Sequence, residues 1–355
     1  MPVFTLNFIS LFLWAFLLKL MPLSKESREK AFLGIIFVQF LLISGLRTYE
    51  VGQDLRNYLE GYREFEYNWH NALKYYFPNW EPGFLLLNLI STQLGIGFRL
   101  FFILIDAFAY YIVLRFINRY ASIKWLGVVV FVAFGFFFAS LHILRQTIAL
   151  SIILLSYDAL VEGRTKKFIS LVILATCFHY TAFLFGLSLF LYRNRRMSLP
   201  VFLVLLIAVQ VVGRILVSRF MAIALIISDK YDTYNDNGIS GEGYGLLILL
   251  LLLTIVGYLY KTSRLLPNDR LIFFLVIVGC LMQAIATQLS IFARICWYWE
   301  YGVIAYIPLL ITLNKNKHLR LLYTICAVAF LSAFFFLISN AQEGQALWAT
   351  YQLME

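Results

Sequence analysis

Long apolar runs separated by short polar punctuation recur from one end of the chain to the other. They cover roughly 3–20, 31–46, 82–117, 123–140, 144–160, 168–191, 199–218, 245–260, 271–292, 297–313 and 321–338. Most approach the ~17–25 residues a helix needs to cross hydrocarbon. At that depth the backbone must satisfy its own hydrogen bonds, which a helix does within one segment. The pattern predicts an all-α polytopic integral membrane protein with about 11–14 transmembrane or re-entrant helices, in a single transmembrane domain over residues 1–355.

Two runs depart from simple crossing. The stretch 82–117 is long enough for two helices, and Gly95-Ile96-Gly97 interrupts it. It predicts a short or re-entrant helix over 83–97 followed by a full span over 98–117. The stretch 168–191 carries basic residues at both flanks. A broken hairpin that enters and returns keeps both flanks on one side, with His179 near its tip.

Composition fits this picture. Hydrophobic residues make up 62% of the chain and charged residues 14%, too little charge for a soluble protein of this length. The first apolar run lacks a basic leader and is expected to be a retained span. The net charge of +10 raises nucleic acid as a partner. Its distribution argues otherwise. Basic residues gather in six short clusters between runs: Lys19/Lys25/Arg28/Lys30, Arg115/Arg119/Lys124, Arg164/Lys166/Lys167, Arg193/Arg195/Arg196, Lys261/Arg264/Arg270 and Lys315/Lys317/Arg320. This is the positive-inside signature, and no nucleic-acid partner is implied.

With the clusters in the cytoplasm, the N-terminus and the loops 47–81 and 219–244 lie outside. That assignment uses Lys and Arg clusters alone. It then brings Arg47, Asp54, Glu81, His142, Arg145, Arg294 and Glu300 to the outer side, so any chemistry is expected there. The four cysteines have no paired spacing and read as small apolar residues. Four histidines without carboxylates at ligand spacing give no metal site, and no cofactor is expected.

Each polar group has a functional and an ordinary reading. In Arg47-Thr-Tyr-Glu-Val-Gly52-Gln-Asp54-Leu-Arg56-Asn-Tyr58, Asp54 suits a general base and Arg47 or Arg56 an anion clamp. A water-facing polar loop is the ordinary reading. The aromatic residues between Tyr58 and Trp80 suit sugar stacking or an interfacial belt, and the belt accounts for most of them. Glu81, before Pro82-Gly83, is an acid/base candidate or a helix cap. His142, Arg145 and Gln146 share one helical face. An early helical arginine holds phosphate oxygens, or merely snorkels to the surface; charge at membrane level favours function. His179 is a core histidine or a cavity-facing one. Arg294 and Tyr298 occupy one face near the outer end, where positive charge is otherwise disfavoured.

These residues together resemble the EpsG-type family of Wzy-like bacterial polysaccharide polymerases. The pieces are Arg47…Gly52-x-Asp54-x-x-x-Tyr58, Glu81-Pro82-Gly83-Phe84, Arg145-Gln146-x-x-Ala149, Phe178-His179-x-Thr181-Ala182 and Arg294-x-x-x-Tyr298, over about 30–315. The family often has serine where this chain has Tyr180-Thr181. The resemblance implies a GT-C-like membrane glycosyltransferase that joins undecaprenyl-pyrophosphate-linked oligosaccharide repeat units of O-antigen, capsule or exopolysaccharide. The transfer would be metal-independent, at the outer face of the bacterial inner membrane. Membrane lipids are implied partners, with a flippase and a chain-length regulator as further candidates. Asp54 is then the first candidate base, His179 the second and Glu81 the third. Arg47, Arg56, Tyr58, His142, Arg145, Gln146, Arg294 and Tyr298 are the substrate-binding candidates.

Two rivals stand beside this reading. A lipid-linked oligosaccharide transporter would show internal repeats and polar groups through the full depth, and the sequence has neither. A membrane acyltransferase acting on a surface glycan would need polar groups reaching inward, where only Asp106 and Asp158 are available.

Overall fold

The computed structural model describes residues 2–52, 54–193, 197–227, 243–260, 266–288 and 291–344. The expected outer loop 219–244 lies mostly outside these residues, as do Arg195, Arg196, Lys261 and Arg264; its first part, to Ile227, is helical.

The described residues are helical throughout, with no strand among them. The first two helices, α1 (Pro2–Leu20) and α2 (Lys25–Gly45), form an antiparallel pair joined at the first basic cluster. The expected outer loop 47–81 contains an amphipathic helix, α3 (Leu55–Tyr76). Leu55, Tyr58, Leu59, Tyr62 and Phe65 are buried, whereas Arg56, Glu60, Arg63 and Glu64 are exposed. That i, i+3, i+4, i+7 stripe is what seats a surface helix on a core. Next come a short α4 (Pro82–Gln93) and a long α5 (Phe98–Tyr120), the arrangement read from the glycine break.

The following span is broken. Gly135 takes φ 78°, ending α6 (Lys124–Ala133) and starting the single turn α7 (Phe136–Ser140). Glycine adopts this left-handed conformation without the Cβ penalty. The central helix α8 (Leu144–Val161) is almost wholly buried. After it, α9 (Thr165–Thr176) stops at Cys177, and a 3₁₀ segment (Tyr180–Leu187) leads into α10 (Ser188–Arg193). This is the broken stretch expected for 168–191, with His179 in the break. The remaining helices are α11 (Leu199–Ile227), α12 (Tyr244–Leu259), α13 (Pro267–Ala286), α14 (Ile291–Glu300), α15 (Val303–Leu313) and α16 (Lys317–Gly344).

Among the described residues, five helices are long and apolar enough to cross a membrane, and the pair α14–α15, bent by 43°, makes a sixth. Four shorter apolar helical stretches accompany them, so the described residues hold fewer such elements than the 11–14 expected. The apolar side chains Leu6, Ile9, Leu13, Phe16 and Leu20 of α1 are exposed, as expected of a lipid-facing helix.

Contacts group four of the six basic clusters at one end of the bundle. Residues of the first and second clusters, Lys19, Lys25, Arg28 and Lys124, line one cavity. Arg115 and Arg119 bond Asp158 and Glu162 at the end of α8, beside the third cluster. The Thr312 hydroxyl lies 3.1 Å from that of Ser122, which brings the last cluster to the same end. Arg47, His142 and Arg145 sit at the opposite ends of α2, α7 and α8.

Candidate active site

The site assembles around Glu81. Pro82 at the first position of α4 fixes the entry of that helix. The Gly83 N–H donates to the Cys177 carbonyl at 2.7 Å, and a Cβ on Gly83 would lie 2.7 Å from that same oxygen. Glycine therefore lets α4 dock directly on the broken end of α9. Docking brings Glu81 to His179: the Nδ1 of His179 lies 3.1 Å from Glu81 Oε1, and the Tyr180 N–H donates to the same oxygen at 3.4 Å. The other oxygen, Oε2, accepts from Arg145 Nη1 at 2.6 Å. The hydrogen bond from His179 and the charge of Arg145 outweigh burial and hold the Glu81 carboxyl below its ordinary range. Glu81 is thus a carboxylate, and the Nδ1 of His179 is the donor to it. In the tautomer with its proton on Nδ1, the Nε2 of His179 is the acceptor.

Arg145 has further partners. It donates to the Asn79 carbonyl at 3.1 Å and to the Tyr58 hydroxyl at 3.4 Å, and its guanidinium lies 5.8 Å from the Tyr58 ring centre. Ile143 provides no side-chain cap to α8, so the positive end of that helix adds to the field at Arg145. Gln146 donates to the Arg294 carbonyl at 2.7 Å, tying α8 to α14 through the backbone. The Arg294 side chain is exposed and makes no ion pair with a described residue. Tyr298 is fully buried; its hydroxyl lies 3.1 Å from that of Thr181, and its carbonyl accepts from Tyr157 at 2.6 Å. Tyr298 therefore moors α14 beside the His179 break.

Asp54 stands half-buried just before α3 and gives that helix no side-chain cap. Burial raises its carboxyl above the usual carboxylate range, and Arg294 and Arg145 pull it the other way. It therefore lies within the field of both arginines. His142 is pushed down to about 4 by burial and by the charges of Arg294 and Arg47. It is a neutral side chain at physiological pH.

The structure thus brings together Asp54, Tyr58, Glu81, His142, Arg145, Gln146, His179, Arg294 and Tyr298. Two expected anion-binding residues lie elsewhere. Arg56 is an exposed residue of α3 paired with Glu50 and Glu60. Arg47 is fully buried and bonds Asp106 at 3.1 Å, the Ser44 carbonyl at 2.7 Å and the Leu141 carbonyl at 2.8 Å. Asp106, read as an inward group, is instead the counter-charge of Arg47. Glu300, expected at the outer side, is buried against Gly279 inside the bundle. Asn79 and Tyr157 are not among the expected residues, and Thr181 is expected only as part of the motif around His179. A carboxylate in an apolar run requires a buried cation, and that rule pairs Asp106 with Arg47. Nothing local marks Asn79 or Tyr157.

Among the described residues no His, Cys, Asp and Glu cluster suits a metal ion. The four cysteines are thiols. The fold and these charged groups at the ends of long apolar helices define a multi-pass, all-α membrane protein. Over residues 30–353 the chain matches the EpsG family, and it belongs to that family. This is a Wzy-like polysaccharide polymerase family, glycosyltransferase-like in activity. No curated protein and no solved structure matches the chain.

Proposed function

We propose that the chain polymerises glycan repeat units carried on undecaprenyl pyrophosphate, at the outer face of the bacterial inner membrane, with His179 as the base and Arg145 and Arg294 as the anion clamp. The observation that carries this reading is the chain of contacts His179–Glu81–Arg145. It places an oriented imidazole and a forked cation on the two oxygens of one carboxylate.

In the reaction, Nε2 of His179 takes the proton of an acceptor hydroxyl. The freed oxygen forms a bond to the anomeric carbon of the donor glycan as the bond from that carbon to the lipid pyrophosphate breaks. The leaving pyrophosphate carries the electron pair away, and the two arginines offset the charge developing on it. Glu81 holds the imidazole in the productive tautomer and stabilises the imidazolium, the part a carboxylate plays beside a catalytic histidine. The group transfer balances with no redox partner.

The outer-face assignment rests on the basic clusters gathering at the far end of the bundle. The aromatic residues of α3 and the exposed Arg294 give the donor lipid and sugar a place at the membrane surface. Asp54 carries a second reading as the base, because a carboxyl lifted above its ordinary range by burial suits proton abstraction. Its place within the field of Arg294 and Arg145 fits a counter-charge better. Reconstituted protein with a lipid-linked repeat unit separates these readings. His179→Ala should make no polymer and Asp54→Asn should retain most of it. The reverse pattern moves the base to Asp54, and polymer from both variants removes the assignment altogether.

A further inference from the structure

At the end of the bundle opposite His179 and Arg145, α1, α2 and α6 border an open cavity of about 350 Å³. It is separated from Arg47 by the length of α2, 21 residues or roughly 30 Å. Four cations from three separate elements converge on it: Lys19 at the end of α1, Lys25 and Arg28 in the first turn of α2, and Lys124 at the start of α6. Glu29 is the one acidic residue in the lining. It lies 3.8 Å from Lys25 and offsets a single charge. Apart from Ser122, the rest of the lining is apolar, including Leu18, Phe32 and Trp125, and the Trp125 ring packs edge-on against Phe12. The first residues of α6 also line the cavity, and Ile123 supplies no side-chain cap, so that helix end adds positive field.

Positive-inside bias accounts for basic residues at this end of the molecule. It does not account for their converging on one concavity with an apolar floor. Cations around an apolar-floored recess at a membrane surface suit a phosphate head joined to a glycerol-like body, and the volume is that of a small-molecule site. We propose that this cavity binds a phosphate-ester anion, held by Lys19, Lys25, Arg28 and Lys124 over the Phe32–Trp125 floor. Two sources share this chemistry: the headgroup of an anionic phospholipid in the same leaflet, and a soluble phosphate ester. The site is independent of the glycan chemistry at the other end.

The test uses the purified full-length chain in detergent. Native mass spectrometry reads retention of phosphatidylglycerol against phosphatidylcholine, and melting shifts read glycerol phosphate in solution. The wild type should retain phosphatidylglycerol in preference, or be stabilised by glycerol phosphate. Lys19→Ala/Arg28→Ala should weaken that binding by roughly 25-fold, about fivefold for each cation near an anionic group. Arg28→Lys should recover most of the binding and shows that the fold is intact. The pair Lys166→Ala/Lys167→Ala, basic but outside the cavity, should leave it unchanged. Preference for the lipid with no glycerol phosphate shift identifies a headgroup site, and the converse identifies a soluble ester. Binding of neither ligand, undiminished binding in Lys19→Ala/Arg28→Ala, or equal loss in the Lys166/Lys167 control overturns the proposal.

Discussion

Arg47 and Asp106 form an ion pair in which both side chains are completely shielded from solvent. The same guanidinium holds the carbonyl of Leu141, in the turn that leads to His142 and Arg145. Gly52 meets that turn from the loop above; a Cβ there would lie 2.8 Å from the Leu141 oxygen, and its φ of +110° disfavours any side chain. Two segments far apart in sequence thus set the start of α8, and with it the position of Arg145. Breaking a buried pair by removing one partner leaves an uncompensated charge, at a cost of about 3–5 kcal/mol. Asp106→Ala should therefore melt well below the wild type in detergent. Arg47→Met/Asp106→Leu should recover much of that loss, because an apolar pair removes both charges. Thermal unfolding of the three variants decides it, and an unperturbed Asp106→Ala would show the pair to be dispensable.

Gly83 is expected to be equally sensitive, through position rather than charge. Gly83→Ala places a methyl against the Cys177 carbonyl, in contact with backbone that has no side chain to move aside. Glu81 would then be displaced from His179. The expected result is a folded protein with polymer yield down by about 10²-fold or more, since a displacement of about 1 Å costs that much in an oriented site. Polymer assay beside circular dichroism separates this outcome from unfolding.

The general architecture was legible because a membrane crossing writes itself as an apolar run of fixed length. The breaks at 95–97 and around His179 were legible too, from glycines and from charge at both flanks of one run. The site was legible only as a set of residues. Glu81 and His179 are 98 positions apart, and no local pattern shows that they share a hydrogen bond. Arg47 and Arg56 look alike in sequence, each a loop-side arginine near Asp54. The fold buries one against Asp106 and leaves the other on the surface of α3, because only the first lies on the inward path from α2. Asp54 ranked first as a base since glycine and arginines flank it. The structure gives Glu81 the defined partners instead.

If Glu81 and His179 act as one unit, their substitutions should not add. Each of Glu81→Gln and His179→Ala should reduce turnover by roughly 10²–10⁴, the usual contribution of general base catalysis. The double variant should fall no further than the worse single one. Multiplicative losses would mean that the two side chains act separately. Single-turnover assays with a lipid-linked repeat unit provide the numbers.

Asp54 and Glu81 should affect stability in opposite senses as pH changes. The Asp54 carboxyl is raised by burial, so the fold favours its protonated form and loses stability as pH rises from the unfolded value through the folded one. Asp54→Asn should therefore raise the melting temperature at neutral pH, and the gain should vanish in acid. Glu81 is lowered, so its contribution is fully present above the unfolded value and is lost as pH falls through the folded one. Glu81→Gln should be destabilising at neutral pH and close to neutral in acid. Melting curves across pH check both signs, and matching slopes for the two variants would contradict the assignments.

Arg294 separates function from stability most cleanly. Its backbone carbonyl is held by Gln146, while its side chain is exposed and bonds no described carboxylate. Removing the side chain therefore disturbs no interior contact, and Arg294→Ala should melt within about 0.5 kcal/mol of the wild type, as surface substitutions do. Under the proposed mechanism polymer should nevertheless disappear, because the guanidinium would offset the charge developing on the leaving pyrophosphate. Arg294→Lys keeps the charge without the planar fork, so it should recover only a small part of the activity. Arg145→Ala differs in one respect: it also leaves Glu81 without its cation and should lose both stability and polymer. Side-by-side melting and polymer assays of the three variants read the distinction directly. Full polymer from Arg294→Ala would remove it from the anion clamp, and full recovery by lysine would reduce its part to simple charge attraction.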